Sequence, residues 1–381
     1  MIDLFPNIFM LAIIQGVLLS IFLVVKKNNQ HANRVLAVAI FILSLDLLST
    51  YFFFTKLYLY FPIIFGANFA FPFIYGPVFY IYTKILISNE KKFSAKDLLH
   101  FIPFVLVHLY VSPFYLLSHQ EKLARIDQFI NQVQVDLVFI GFFKPIHGIL
   151  YTILSLRLIN KFNKKIQETF SNIEKKKLDW LEYLITATMV VWIIVAALVF
   201  VGIIFNPDYG AFDFVIYFSI SLFIYAIGYG ALNQPEVFGS HAEEIIFSPK
   251  ENLQNPAKYE KSSLTEKDIE QIRTKLLEQM KNEKLYLSNE LTLTQLADEL
   301  SVSNHNLSEV INTSFNKNFY EFVNSYRVEE VKKKIKNPDY TNHSLLAIAF
   351  ESGFSSKSSF NSIFKKYTNA TPSEYRKQFV D

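Results

Sequence analysis

The chain has 381 residues, 37 Lys and Arg against 34 Asp and Glu, a formal net charge of +3, and an aromatic fraction of 16%. It has no cysteine, which excludes disulfides, thiolate zinc sites and cysteine nucleophiles, so its stability must come from packing. The charge identifies no partner by itself. The hydrophobicity is confined to residues 1–232, which makes the chain read as a membrane half followed by a water-soluble half.

A crossing of the hydrocarbon core needs roughly 20 apolar residues. Seven such segments follow one another: Leu4–Val25, Val35–Phe54, Phe61–Thr83, Leu99–Leu117, Leu137–Ile159, Leu181–Phe205 and Phe214–Leu232. Lys26, Lys27 and Arg34 belong to the first connection and Lys91, Lys92 and Lys96 to the third. Arg157, Lys161, Lys164, Lys165, Lys175, Lys176 and Lys177 belong to the fifth, while the opposite side has only Lys56, Lys122 and Arg125. The positive-inside bias then predicts an external amino terminus and a carboxyl terminus on the cytoplasmic side. The charges of the first span follow its apolar run and no small-residue cleavage site precedes Lys26, so a retained anchor is expected and not a signal peptide. Pro62, Pro72, Gly76 and Pro77 interrupt the third segment, where a re-entrant turn or an additional crossing is the alternative to a single helix.

Polar and ionisable groups inside a bilayer are costly and usually face the bundle interior. At 1.5 Å per residue, Asp46, Asn68, His108 and Lys144 all fall roughly 10–14 Å below the outer surface, with His147 about one turn deeper than Lys144. These five residues make an expected sensor pocket open to the outside, in which Asp46 and Lys144 could pair directly. A structural polar cluster that fixes helix packing is the alternative.

The prolines and polar residues from Asn233 onward, including Gln234, Pro235, Pro249 and Pro256, predict a linker over residues 233–261. A domain over 262–381 follows. Thr265, with Asp268 three residues on, predicts the cap of a helix whose Ile269, Ile272, Leu276 and Met280 recur at helical spacing. That helix packs against the domain or, alternatively, joins two copies in a homodimer.

Two helix-turn-helix patterns follow in tandem. In the first, Leu296, Ala297, Leu300, Val302, Leu307 and Val310 form the apolar face, with Ser301 at the turn. In the second, Ile348 and Ala349 lead to Gly353 at the turn and then to Phe354, Phe360, Ile363 and Phe364. The run Ile348-Ala349, Gly353-Phe354-Ser355, Phe360, Phe364-Lys365-Lys366 and Thr371-Pro372-Ser373-Glu374-Tyr375-Arg376 resembles the DNA-binding domain of the arabinose-regulator (AraC) family of bacterial transcription factors. The resemblance covers residues 262 to 381, with Phe319, Phe322, Tyr326 and Arg327 on the helix that would join the two reading heads. Ser301 and Asn369 stand where many family members have glycine, and local adjustment is expected there. A weaker likeness to membrane-bound regulators of the same family lies in residues 74–82 and 99–104.

In a helix-turn-helix the second helix enters the major groove. With Leu307, Val310 and Ile311 buried, the first unit is expected to present Asn304, His305, Ser308 and Asn312. With Phe360, Ile363 and Phe364 buried, the second presents Lys357, Ser358, Asn361, Ser362 and Lys365. Lys366, Thr371, Ser373 and Arg376 are expected to hold phosphates.

The predicted fold is all-α: a seven-helix transmembrane bundle followed by a soluble domain of two helix-turn-helix units joined by a helix. The expected function is that of a membrane-bound one-component transcription factor controlled by a small-molecule or envelope signal. It would sit in the bacterial inner membrane, with double-stranded DNA and the lipid bilayer as partners. The resemblance adds RNA polymerase. No zinc-ligand helix, phosphate loop, nucleophile elbow or kinase motif occurs, so neither a cofactor nor an enzymatic activity is expected. A membrane transporter or enzyme-like domain with a DNA-binding tail is the alternative.

Overall fold

The computed structural model describes residues 5–27, 29–88, 93–132, 134–174, 176–205, 210–233 and 264–379. Residues 234–261 of the expected linker lie outside the described residues. Among those described, the chain is helical, with one isolated antiparallel bridge between Phe170 and Thr292. It divides into two compact units, Met1–Asn160 with Leu178–Glu236, and Lys161–Lys177 with Val237–Asp381.

The first unit is built from α1 (Phe5–Val25), α2 (Gln30–Phe54), α3 (Pro72–Ile87), α4 (Ile102–Val111), α5 (Pro113–Leu116), α6 (His119–Asn131), α7 (Val135–Thr169), α8 (Asp179–Phe205) and α9 (Gly210–Asn233); from Lys161 on, α7 belongs to the second unit. Five described stretches are long and apolar enough to cross a membrane: Asn7–Val25, Gln30–Phe54, Ala95–Leu116, Val135–Thr169 and Asp179–Val201. Pro72–Ile87 and Ile216–Gly230 are shorter apolar helices.

The third predicted segment is not one helix. Short 3-10 turns occupy Leu57–Leu59 and Pro62–Ile64, Gly66 takes φ +72°, and regular helix starts only at Pro72. Proline has a fixed φ and no N–H to donate, so Pro62 and Pro72 suit first turns and not a helix interior. Close approach of helices elsewhere depends on small residues. The Ser20 hydroxyl of α1 donates to the Ala37 carbonyl of α2 at 2.9 Å, and a Cβ at Gly148 would stand 2.1 Å from the Trp192 ring. The chain before α7 also holds α6, a short amphipathic helix. Ser118 and Glu121 cap it reciprocally, with the Ser118 N–H donating to the Glu121 carboxylate at 2.8 Å.

The second unit contains α10 (Glu266–Asn282), α11 (Leu293–Leu300), α12 (Asn304–Phe315), α13 (Phe319–Lys336), α14 (Leu345–Glu351), α15 (Lys357–Thr368) and α16 (Pro372–Lys377). Thr265 and Asp268 form the cap of α10 predicted from their spacing. Ile272, Leu276 and Met280 of α10 pack with Leu296, Ala297 and Leu300 of α11, Leu307, Val310 and Ile311 of α12, and Phe319, Phe322 and Val323 of α13. The other end of α13 enters a second core: Val328, Val331 and Ile335 meet Ile348, Ala349, Phe354, Phe360, Ile363 and Phe364. One helix therefore holds both heads, each with its own core. Full burial of each large apolar side chain stabilises by roughly 1.5–3 kcal/mol.

The turns show how non-glycine residues are accommodated. Ser301 sits at φ 55° and Asn369 at φ 57°, both left-handed. Gly353 takes φ +91°, and a Cβ there would lie 2.4 Å from the Tyr286 carbonyl oxygen. Gly353→Ala is therefore expected to cost at least about 1–2 kcal/mol from the left-handed conformation alone, before the clash. Ser301→Gly should stabilise by up to about 1 kcal/mol, because its left-handed strain is relieved. Thermal unfolding of the purified protein in detergent reads both; shifts of the same sign would contradict this account of the turns.

Candidate nucleic-acid interface and cavity

Ser303 caps α12 by accepting from the Asn306 N–H at 3.1 Å. Asn304 and His305 are half-buried, with the Asn304 amide donating to the Thr294 hydroxyl at 3.2 Å. Asn312 is half-buried too, its amide donating to the Ser308 carbonyl at 2.8 Å. Ser308 departs from the outward face expected for it: it is only 5% exposed. It lies three residues before Ile311, only about 60° round the helix from the apolar stripe.

The second head presents a clearer face. Ser356 caps α15 by accepting from the Ser359 N–H at 3.1 Å, and Phe360, Ile363 and Phe364 fill the core behind. Lys357, Ser358, Asn361, Ser362 and Lys365 are all exposed on the opposite side. Ser373 is exposed as well, but other expected phosphate ligands are already engaged. Lys366 pairs with Glu321 at 2.9 Å, and the Thr371 hydroxyl caps α16 by accepting from the Glu374 N–H at 3.3 Å. Arg376 donates to the His343 carbonyl at 2.7 Å and also to the Tyr340 and Thr341 carbonyls, so it clamps the 340–343 turn.

Residues 296–378 match the protein family described as "Helix-turn-helix domain". The carboxyl-terminal domain is a helix-turn-helix domain. Over 92 residues, 24% of this chain, it is 34% identical to an uncharacterised HTH-type transcriptional regulator of Staphylococcus aureus (strain COL). The chain spans only 12% of the length of that relative. An uncharacterised HTH-type transcriptional regulator in the cgkA 5′ region of Pseudoalteromonas carrageenovora is 28% identical over 130 residues, covering 31% of this chain and 75% of that protein. A solved structure of a Listeria innocua protein of unknown function aligns with a TM-score of 0.26 at 25% identity, covering 29% of this chain and 98% of that one.

The helix-turn-helix domain buries a cation that the sequence marks only as part of α13. Arg327 is 2% exposed, and its guanidinium donates to the Tyr286 carbonyl at 2.8 Å, the Ser288 carbonyl at 2.7 Å and the Ser171 hydroxyl at 2.9 Å. Burial pulls its pKa down to about 10, so it stays charged at neutral pH. Ser171 belongs to the segment 161–177, which the sequence suggests only as a basic connection. That segment folds with the helix-turn-helix domain.

In the first unit a cavity of ≈ 790 Å³ opens among the apolar helices. Three of the five residues expected to form a pocket line it: Asp46, Asn68 and Lys144. Asp46 is buried, one carboxylate oxygen accepting from the Asn68 amide at 2.6 Å and the other from the Tyr75 hydroxyl. The Lys144 ammonium, expected beside Asp46, lies 3.6 Å from the centre of the Phe69 ring. His108 and His147 do not line the cavity; His108 stacks between Phe104 and Tyr115, and His147 packs on Phe73 and Tyr151. Depth alone could not place them, because a residue at the right height can still face the wrong side of its helix. Tyr75 and Tyr217 join the polar end, where sequence reasoning had no signal beyond aromatic abundance. A predominantly apolar wall with a few convergent polar groups suits one small organic molecule with an apolar body and a polar head.

Proposed function

We propose that the protein is a membrane-bound one-component transcription factor that binds promoter DNA sequence-specifically through its two helix-turn-helix units, under control of a signal sensed by the apolar half. The observation that carries the DNA reading is the row Lys357, Ser358, Asn361, Ser362 and Lys365, exposed on one face of α15 while the opposite face is core. Lysine reaches phosphates or guanine, and asparagine can pair bidentately with adenine. His305 and Asn304 add a second reading point on α12. Relatives named HTH-type transcriptional regulators support the same reading.

Membrane insertion is supported by apolar side chains that face outward along the long apolar stretches: Leu18 is 62% exposed, Leu106 61% and Leu116 88%. In water, so extensive an apolar exterior would aggregate; in lipid it is the solvated face. The cavity is the proposed signal site, and a signal acts there only by binding one arrangement of the helices better than another. The functional partners are duplex DNA, the bilayer, a small amphiphilic molecule and RNA polymerase, and α10 is the surface through which a homodimer would form. Topology reporters test the arrangement. Fusions after Lys177 and after Gln234 should both read cytoplasmic, and fusions near Gln128 and Asp208 external, because the basic connections lie on one side. An external signal at Gln234 would separate the reading heads from DNA and end the proposal.

A further inference from the structure

The segment 161–177 interrupts the first unit in sequence and folds with the second. Ile166, Phe170 and Ile173 are all buried in it, at 0%, 4% and 6% exposure. Phe170 forms the antiparallel bridge to Thr292, and the Ser171 N–H donates to the Leu291 carbonyl at 3.1 Å. The Ser171 carbonyl accepts from Asn324 at 3.1 Å and from Arg327 at 3.2 Å, while Asn318 donates to Gln167 at 3.3 Å. These three partners lie on α13 or at its cap, so the segment is bonded to the helix that joins the two heads.

Three residues beyond Ser171, the Glu174 carboxylate accepts from both the Ser356 and the Ser358 hydroxyls. Ser356 is the cap of α15 and Ser358 its second residue. This is the end of a recognition helix that enters the major groove, and the end whose free N–H groups and positive dipole favour an anion. DNA would bring a phosphate or a base acceptor to the same hydroxyls. A carboxylate already there takes the donors and repels the approaching backbone.

We propose that residues 161–177 act as an intramolecular inhibitor. The segment docks along α13 and sets Glu174 on the DNA-contacting end of α15, so the second head engages DNA only after the segment leaves. The inference rests on the reading of the domain as DNA-binding. It also gives the proposed signal a covalent route, because the segment continues directly into α8 through Leu178 and is itself the end of α7. A change of either helix is transmitted to Ser171 and Glu174 without passing through the 233–261 linker.

The full chain in lipid nanodiscs, challenged with a randomised duplex DNA library and then with the enriched duplex, tests this. Glu174→Gln keeps the shape and removes the charge, and should tighten binding at least about threefold. The chain has no cysteine, so Phe170→Cys with Thr292→Cys introduces a single thiol pair across the antiparallel bridge, where Cα atoms lie close enough for a disulfide. The oxidised form should bind at least about tenfold more weakly than the same protein after reduction, which serves as its own folding control. Equal affinity of oxidised and reduced forms, or of Glu174→Gln and the parent, would overturn the inhibitor and leave DNA binding intact. If parent and variants melt normally yet bind no duplex at all, the DNA reading fails and the inhibitor falls with it.

Discussion

Arg327→Met should lower the stability of the helix-turn-helix domain by about 2 kcal/mol or more, because one substitution strips the donor from the buried Tyr286 carbonyl and Ser171 hydroxyl. The guanidinium serves the Tyr286 and Ser288 carbonyls on one side and the Ser171 carbonyl and hydroxyl on the other. Leaving a buried acceptor unsatisfied costs about 1–3 kcal/mol each. Arg327→Lys should recover little, since a single ammonium cannot reproduce a planar fork that reaches two chain segments at once. Denaturant unfolding in detergent, followed by the fluorescence of a label on the domain, reads the loss. A change below about 1 kcal/mol would mean that water replaces the guanidinium at no cost and that the site is not a tie.

The second large effect is expected at the polar end of the cavity. Asp46→Leu leaves the Asn68 amide and the Tyr75 hydroxyl without their acceptor, a loss of about 1–3 kcal/mol for each group. Tyr75→Phe removes only one donor and should cost less, because the other carboxylate oxygen keeps Asn68 at 2.6 Å. In the double variant the Tyr75 penalty no longer exists, so the two losses should fall short of additivity by about 1 kcal/mol or more. The same cycle run with Lys144→Met should show a smaller coupling, because Asp46 is bonded to Asn68 and Tyr75 and the Lys144 ammonium faces the Phe69 ring. Melting temperatures of the six proteins of the two cycles in one detergent decide between the pairs. A larger coupling with Lys144 than with Tyr75 would show that the ion pair suggested by matched depth outweighs these hydrogen bonds.

Local features were legible in the sequence, and long-range ones were not. The apolar faces of α12 and α15, the cap of Thr265 with Asp268 and the turn at Ser301 all follow from spacings of a few residues. Ser118 and Glu121 carried the same capping signal and marked α6, which reading the region as a connection between spans concealed. Ile166, Phe170 and Ile173 likewise recur at helical spacing inside a lysine-rich stretch, where the charges drew attention away from the buried side. No local pattern could reveal that Glu174 reaches Ser358, that Arg327 serves Ser171, or that Arg376 closes the 340–343 turn. Those contacts join residues far apart in sequence, and only the packing of α13 against its neighbours brings them within bonding distance.

Binding of the full chain to duplex DNA across a salt series tests the central claim most directly, with a randomised library as probe and Asn361→Ala and Lys365→Ala as variants. The enriched sequence should contain two half-sites about 10 bp apart, one for each head, and affinity should fall linearly in a log–log plot against salt. Asn361→Ala should relax preference at particular positions at a cost of about 1–3 kcal/mol on the enriched site, whereas Lys365→Ala should weaken all sequences and flatten the salt slope. A protein that is folded and in its membrane, and carries Glu174→Gln to release the second head, yet retains no duplex above background at any salt concentration would contradict the account.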